Sequence, residues 1–303
     1  MNLAPVLAAM TFVFFSSMSV PAQTTTTLTR RDVSQAFKLA KQKSQGNLGA
    51  AVMDFQTGEC IDINGDLPFP MQSVYKLPIA INVLSQVDKG TLKLDQRIQV
   101  TPADYVTTAQ HSPLRDKHPD GIETTLNSLL ELMAGESDGS ACDVLLRLTG
   151  GPRATSRFLQ EIGTTAVHVL NTEKEIGANS SVQYANTATA NATVGLLKTL
   201  YNGRTLSEES RSRLLNIMTN TPTGPRRIKG KLPPTYSVAH KTGSSRTVDG
   251  VTAATNDVGI ITFPDGRAVA IAVFVNDSRA DSATRDEVIA DVAAAALKYF
   301  SAK

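Results

Sequence analysis

The sequence predicts an α+β fold, an α/β sandwich in which an antiparallel sheet with flanking helices carries an inserted all-helical lobe. Three observations predict it. Strand-like runs gather at the two ends of the chain, in LGAAVMDFQTGECIDING near the start and in SVAHKTG, DVGIITFPDG and RAVAIAVFVND after residue 235. Between about 73 and 218 the apolar residues recur instead at helical spacing. Helical segments also flank both strand regions, at 31–45 and in the tail RDEVIADVAAAALKYF.

Taken in order, residues 31–45 read as a helix and 48–65 as a hairpin around the turn residues Thr57-Gly58-Glu59. SVYKLPIAINVLSQVDKG, IETTLNSLLELMA, SACDVLLRLTGG, PRATSRFLQEIG and ATANATVGLLKTLYNG then read as helices, several closed by a glycine placed to cap them. The runs after 235 are short, β-branched and apolar, with Pro264-Asp265-Gly266 as a hairpin turn, and the tail is a long amphipathic helix. The simplest assembly pairs the two β portions in one sheet backed by the terminal helices. That divides the chain into a sheet lobe of residues 23–71 and 219–303 and a helical lobe of residues 72–218, with a site in the cleft between them.

Composition narrows the function. The 303 residues are 41% hydrophobic and 19% charged, as in an ordinary globular protein, and the net charge of +2 without a long basic run points to neither nucleic acid nor an anionic membrane. Residues 2–19, NLAPVLAAMTFVFFSSMS, carry no charged side chain and are followed by Val20-Pro21-Ala22. This reads as a signal peptide of residues 1–22 cut between Ala22 and Gln23, hence an exported, periplasmic protein with no stable membrane association. The threonines at 24–27 read as a flexible lead into the fold. Cys60 and Cys142 could pair after export or stay free as small buried apolar residues, and the sequence leaves both open. The four histidines, at 111, 118, 168 and 240, show no ligand spacing, so neither metal nor cofactor is expected.

Two serines compete as nucleophile. Gly135-Glu136-Ser137-Asp138-Gly139 fits G-x-S-x-G, the elbow of α/β-hydrolases, but that elbow needs a buried strand ahead of its serine. Here Leu126, Leu129, Leu130 and Met133 precede it at helical spacing. Ser73 has better surroundings. Lys76 lies three residues on, one turn along the same helical face, so its amine reaches the hydroxyl and can take part in removing its proton. The helix N-terminus adds positive potential near an oxyanion forming at Ser73. Alone, S-x-x-K is as well explained by a helix cap and a surface lysine. It is followed, however, by Ser137-Asp138-Gly139 and then by Lys241-Thr242-Gly243 inside an apolar strand.

In this order the three elements are the signature of penicillin-binding proteins and class A serine β-lactamases, and beyond residue 22 the chain resembles a class A serine β-lactamase over nearly all its length. The resemblance implies hydrolysis of the β-lactam ring of penicillins and cephalosporins through a serine acyl-enzyme, conferring antibiotic resistance, in a monomer acting on a small molecule. It makes Ser73 the nucleophile, Lys76 part of the proton relay, and Ser137 the donor of a proton to the departing nitrogen. Lys241 and Thr242 of the Lys241-Thr242-Gly243 motif would bind the substrate carboxylate, and the N–H groups of Ser73 and Ser244 would form the oxyanion hole. The deacylating glutamate would come from NTEKEIGANSSVQY, where alignment on Val182-Gln183-Tyr184 favours Glu173 over Glu175.

The departures are informative. Gly139 stands where the family usually has a substrate-contacting asparagine, Gly177 where an asparagine often helps position water, and Asn171 and Asn186 where an ion pair usually closes the loop, which is therefore expected to be differently shaped or looser. Thr223-Gly224-Pro225-Arg226-Arg227-Ile228-Lys229-Gly230, with Gln72 ahead of the nucleophile, marks a divergent, extended-spectrum-like branch. There Arg227 would be a second carboxylate anchor, with Arg246 a weaker candidate, and His111 would touch substrate at the cleft rim. The alternatives are a D-Ala-D-Ala peptidase or a penicillin sensor, both of which acylate without efficient deacylation.

Overall fold

The computed structural model describes Met1 and residues 28–303, so the expected signal peptide lies outside the described residues apart from Met1. The chain runs α1 (Arg30–Lys43), β1 (Asn47–Asp54), β2 (Cys60–Ile63), β3 (Phe69–Pro70), a 3-10 turn at Gln72–Tyr75, α2 (Lys76–Asp88), β4 (Arg97–Val100), α3 (Pro113–Lys117) and β5 (Ile122–Thr125). It continues through α4 (Leu126–Ala134), α5 (Gly139–Leu148), α6 (Pro152–Glu161), β6 (Val167–His168), α7 (Glu173–Ala178), β7 (Thr187–Ala188), α8 (Ala190–Tyr201) and α9 (Glu208–Thr219). It ends in β8 (Ser237–Ser244), β9 (Thr247–Val248), β10 (Val251–Thr262), β11 (Ala268–Ser278) and α10 (Ser282–Phe300).

The two β portions meet in one antiparallel sheet in the order β2-β1-β11-β10-β8, with β9 hydrogen-bonded to β10. Strand β11 explains why its sequence reads as a continuous apolar run. Val269, Ile271, Val273 and Val275 join the core under α1 and α10, whereas Ala268, Ala270, Ala272 and Phe274 join the core shared with the helices of the middle of the chain. Side chains alternate across a strand, so a sheet covered on both faces has no polar side to show. Alanines on the second face let α8 pack close to β1 and β11.

Local signals set the ends of the elements. Thr29 and Asp32 form a capping box at the start of α1, and Asp54 Oδ1 accepts the N–H groups of Gln56 and Thr57 to shape the β1–β2 turn. The expected all-helical middle needs one correction: it also carries four short strands. Ile122-Glu123-Thr124-Thr125, taken above as the start of a helix, is a strand paired antiparallel with Arg97–Val100. Three of its four residues are β-branched, and Thr125 caps α4 by accepting the N–H of Ser128, so the helix begins only at Leu126. The cysteines are free: Cys142 is buried against the Tyr75 hydroxyl at 3.8 Å, and Cys60 lies 3.8 Å from Asn191 Oδ1. Among the described residues no helix is long and apolar enough to cross a membrane.

Candidate active site

Ser73 sits on the 3-10 turn that leads into α2, and the backbone around it is held from the sheet. Gln72 immediately before it has φ +47°, in the left-handed region that non-glycine residues avoid. Asn256 of β10 compensates by donating through Nδ2 to the carbonyls of Pro70 and Met71, at 2.8 and 3.0 Å. Gly243 of β8 completes the support, because a Cβ there would come within 3.1 Å of the Ser73 and Val74 nitrogens. Glycine is what allows the strand so close to the nucleophile.

Lys76 is 2% exposed, and its three N–H donors meet three acceptors. Its Nζ donates to Ser73 Oγ at 2.8 Å, to the Ser137 carbonyl at 3.1 Å and to Glu173 Oε1 at 2.6 Å. Burial disfavours the ammonium, but the Glu173 carboxylate outweighs it, and the Lys76 pKa is raised. Burial likewise disfavours the Glu173 carboxylate, and Lys76, helped by the Tyr75 hydroxyl, holds its pKa below the ordinary value. The resting pair is therefore ionic, and the group with a lone pair to accept a proton is Glu173.

Ser137 is also in the left-handed region, at φ +65°. The next residue pins it: Asp138 is fully buried, caps α5 by accepting the Ala141 N–H at 2.8 Å, and accepts from Leu114 N and Ser112 Oγ. Ser137 Oγ accepts from Lys241 Nζ at 2.9 Å. The element before Ser137 is helix α4, so the G-x-S-x-G match is not a nucleophile elbow. Lys241 is 1% exposed, and burial, with the nearby Lys76 cation, lowers its pKa to about 7.

Glu173 opens α7. Thr172 caps that helix together with Glu175, whose carboxylate accepts the Thr172 N–H at 2.8 Å, so the second glutamate of the loop is spent on capping. Asp143 of α5 accepts the N–H groups of Glu173 and Lys174 at 2.8 and 3.0 Å, and burial raises its pKa to about 6. The loop is closed in a different way from the ion pair that the resemblance leads one to expect. Asn186 is fully buried, its Oδ1 accepts from the Leu170 and Asn171 nitrogens, and its Nδ2 donates to the Asn171 carbonyl, which staples the loop shut. Asn171 takes part through its backbone alone.

The other predicted residues gather unevenly. Thr242 Oγ1 lies 2.9 Å from Thr223 Oγ1. Arg227 reaches the same strand end: it donates to Asp286 Oδ1 at 2.9 Å, to the carbonyls of Gly243 and Asn256, and to Ser244 Oγ at 2.7 Å. At Gly139 a Cβ would stand 3.2 Å from the His111 carbonyl and 3.4 Å from both Val106 methyls, so Val106 borders the space an asparagine would need. His111 is exposed and its Nε2 lies 2.9 Å from the Glu136 carbonyl, beside the Ser137 turn. Arg246 hydrogen-bonds the Ala109 carbonyl. Asp143, Asn256 and Tyr75 were not anticipated. A lone acid in ACDVLLRL and the pair Asn256-Asp257 inside an apolar strand are signals that could have found two of them.

The sequence matches the β-lactamase enzyme family over residues 30–300. It is 39% identical to β-lactamase VEB-1 of Pseudomonas aeruginosa over 255 residues, 84% of this chain and 85% of that protein. It is also 39% identical to extended-spectrum β-lactamase PER-1 of the same organism, over 84% of this chain and 83% of that one. A β-lactamase crystal structure from Chitinophaga pinensis superposes with a TM-score of 0.86 at 40% identity, covering 90% of this chain and all of that one. TLA-1 extended-spectrum β-lactamase superposes with a TM-score of 0.86 at 37% identity, covering 89% of this chain and 99% of that one.

Proposed function

Because the chain belongs to the class A serine β-lactamases, we propose that Ser73 is its acylated nucleophile, Lys76 and Glu173 its proton relay, Ser137 the acid for the departing nitrogen, and Glu173 its deacylating base. Family membership makes the chain a hydrolase of β-lactams, an activity that confers resistance to those antibiotics. The observation that carries the residue assignment is the position of Lys76 Nζ, within hydrogen-bond reach of Ser73 Oγ and Glu173 Oε1 together.

The chemistry follows from those contacts. Ser73 Oγ attacks the lactam carbonyl as its proton passes by way of Lys76 to Glu173, the charged base of the resting site. The oxyanion is met by the N–H groups of Ser73 and Ser244. The C–N bond then breaks and the nitrogen takes the Ser137 proton. The proton held on Glu173 returns by way of Lys76, which lies against the Ser137 carbonyl, to Ser137 Oγ, so that Glu173 is a carboxylate again, while Lys241 holds that hydroxyl in place. In deacylation Glu173 takes a proton from water, the hydroxide adds to the ester, and the Ser73 C–O bond breaks with return of the proton to Oγ. Lys241, Thr242 and Arg227 hold the substrate carboxylate, and Gly243 keeps β8 against the nucleophile. Gly139 and His111 border the acylamide side, where Gly139 offers backbone only.

The proposal extends to organisation: a sheet lobe of 23–71 and 219–303, a helical lobe of 72–218, the site in the cleft between them, export after removal of residues 1–22, and a monomer free of the membrane. It extends also to the broad substrate range that the extended-spectrum relatives' names give them. The test mixes the purified protein with excess chromogenic cephalosporin and follows absorbance and intact mass. Sustained turnover is expected, lost in Ser73→Ala and halted as an adduct in Glu173→Ala. One equivalent of product with a persistent wild-type adduct would indicate a sensor or peptidase, and no adduct at all would sink the assignment.

A further inference from the structure

Gly177 lies one helical turn after Glu173 on α7, and the space beside it is filled from another part of the chain. A Cβ on Gly177 would collide with Oε1 of Gln110 and come within 2.6 Å of its Cδ, so any other residue there must expel that side chain. Gln110 belongs to the loop ahead of α3. Its Nε2 donates to the Glu173 carbonyl at 2.5 Å and stands 3.4 Å from Glu173 Oε2. The Glu173 carbonyl and carboxylate only accept, which sets the amide nitrogen toward them, and Oε1 accepts from Thr107 Oγ1 at 3.2 Å. The loop is itself tethered: Arg115 donates to the carbonyls of Val106, Thr107 and Gln110, and Arg246 to that of Ala109.

We propose that Gln110 is a positioning residue for deacylation, its amide holding Glu173 from the side on which Gly177 has no side chain. The proposal rests on the assignment of Ser73 and Glu173 made above. Lys76 holds Oε1 through one short contact, and a second donor at Oε2 narrows the swing of the carboxylate about that contact. A base must be aimed before it can act, and a donor at Oε2 supplies the aim while favouring the charged form. Gly177 and Gln110 are then a complementary pair, one vacating the space that the other uses.

The test measures acylation and deacylation separately, by stopped-flow and intact mass with a chromogenic cephalosporin, in Gln110→Ala, Gln110→Met, Gly177→Asn, Gln110→Ala/Gly177→Asn and the reference Glu173→Gln. Melting temperature is recorded for each variant. Gln110→Ala and Gln110→Met are expected to acylate close to the wild-type rate and to deacylate about tenfold slower, as befits one lost hydrogen bond to a charged group. Their acidic limb for deacylation moves to higher pH, because Glu173 loses a donor to its ionised form. Gly177→Asn, which evicts Gln110, is slow as well, and the double variant is faster than the two single losses combined would give. Wild-type deacylation in Gln110→Ala and Gln110→Met, with Glu173→Gln stalled, overturns the inference and leaves the Ser73–Glu173 assignment standing. Wild-type turnover in Glu173→Gln overturns both. A loss confined to acylation, or one that tracks a lowered melting temperature in Gln110→Met, also overturns the inference.

Discussion

Lys241 Nζ donates to Ser137 Oγ at 2.9 Å, so strand β8 and the turn ahead of α5 meet through this hydrogen bond. Burial and the neighbouring Lys76 bring the Lys241 pKa to about 7, so its positive charge is present below that pH and lost above it. In the free enzyme kcat/KM is therefore expected to fall as pH rises through about 7. A bound carboxylate favours the charged amine, so the limb in kcat lies higher. Lys241→Arg keeps the charge and should move the kcat/KM limb upward even as the rate drops. A flat kcat/KM profile to well beyond that range in wild type would dispose of the idea.

The same lysine has a consequence for stability. Between about 7 and the ordinary lysine value the unfolded chain binds a proton that the folded chain does not, so this group makes stability increase with pH across that window. Below it the fold carries a buried ammonium. Lys241→Met is expected to raise the melting temperature, by more at pH 6 than at pH 9, while abolishing turnover. Thermal unfolding at the two values checks it, and an equal gain at both refutes the linkage.

Asp143 anchors the first two N–H groups of α7, and one of them is that of Glu173. Asp143→Ala should cost about 1–2 kcal/mol, the usual loss of a helix cap, and lower kcat more than kcat/KM. The Asp143 pKa of about 6 is above its ordinary 3.8, so in that interval the folded state holds a proton that the unfolded state lacks, and stability from this group declines as pH rises. Asp143→Asn removes that slope. Asp143→Ala lacks the carboxyl too, so unfolding followed from pH 4 to 7 separates wild type from both variants.

Gly243→Ala tests the approach of β8 to the nucleophile. Its Cβ would press on the Met71 carbonyl and on the Ser73 and Val74 nitrogens, all backbone atoms with no rotamer to yield. The strand end and the 3-10 turn must separate, which opens the site proposed for the oxyanion. Acylation is expected to slow about 100-fold, the scale of losing one oxyanion donor. Burst kinetics at a saturating chromogenic substrate would show an unchanged burst if the contact has no such role.

Much of this was legible in the sequence because the elements that build the fold are locally self-consistent. The β1–β2 hairpin turn, the Pro264-Asp265-Gly266 turn and the helical spacing of Leu126, Leu129, Leu130 and Met133 each point one way. The spacing of Ser73 and Lys76 put them within reach of each other, but they, Ser137 and Lys241 were singled out only by the order of the three motifs taken together. What escaped depends on contacts between distant segments. Asn256 reaches back over 185 positions to Met71, and Gln110 crosses 63 to Glu173, distances over which periodicity says nothing. The β5 strand was misread because its β-branched residues run straight into the helical spacing of α4, and its partner β4, Arg97–Val100, lies well back along the chain. The staple at Asn186 escaped because a single buried amide does there what an ion pair was expected to do.

Arg227 serves two ends that mutagenesis can separate. Its guanidinium donates to Asp286, to two backbone carbonyls and to Ser244 Oγ, so four of its five N–H groups are engaged and one is left to donate to a substrate carboxylate. Arg227→Ala should raise KM for carboxylate-bearing β-lactams with a smaller change in kcat. It should also cost about 2–3 kcal/mol, because Asp286 loses its 2.9 Å partner and keeps the exposed Arg226 at 3.6 Å and the charge of Arg285 nearby. Arg227→Ala/Asp286→Ala removes the stranded carboxylate, so most of the lost stability returns while KM stays high. Arg227→Lys cannot reproduce the fork and falls between. Recovery of KM together with stability in the double variant would mean that Arg227 braces the strand and does not anchor substrate.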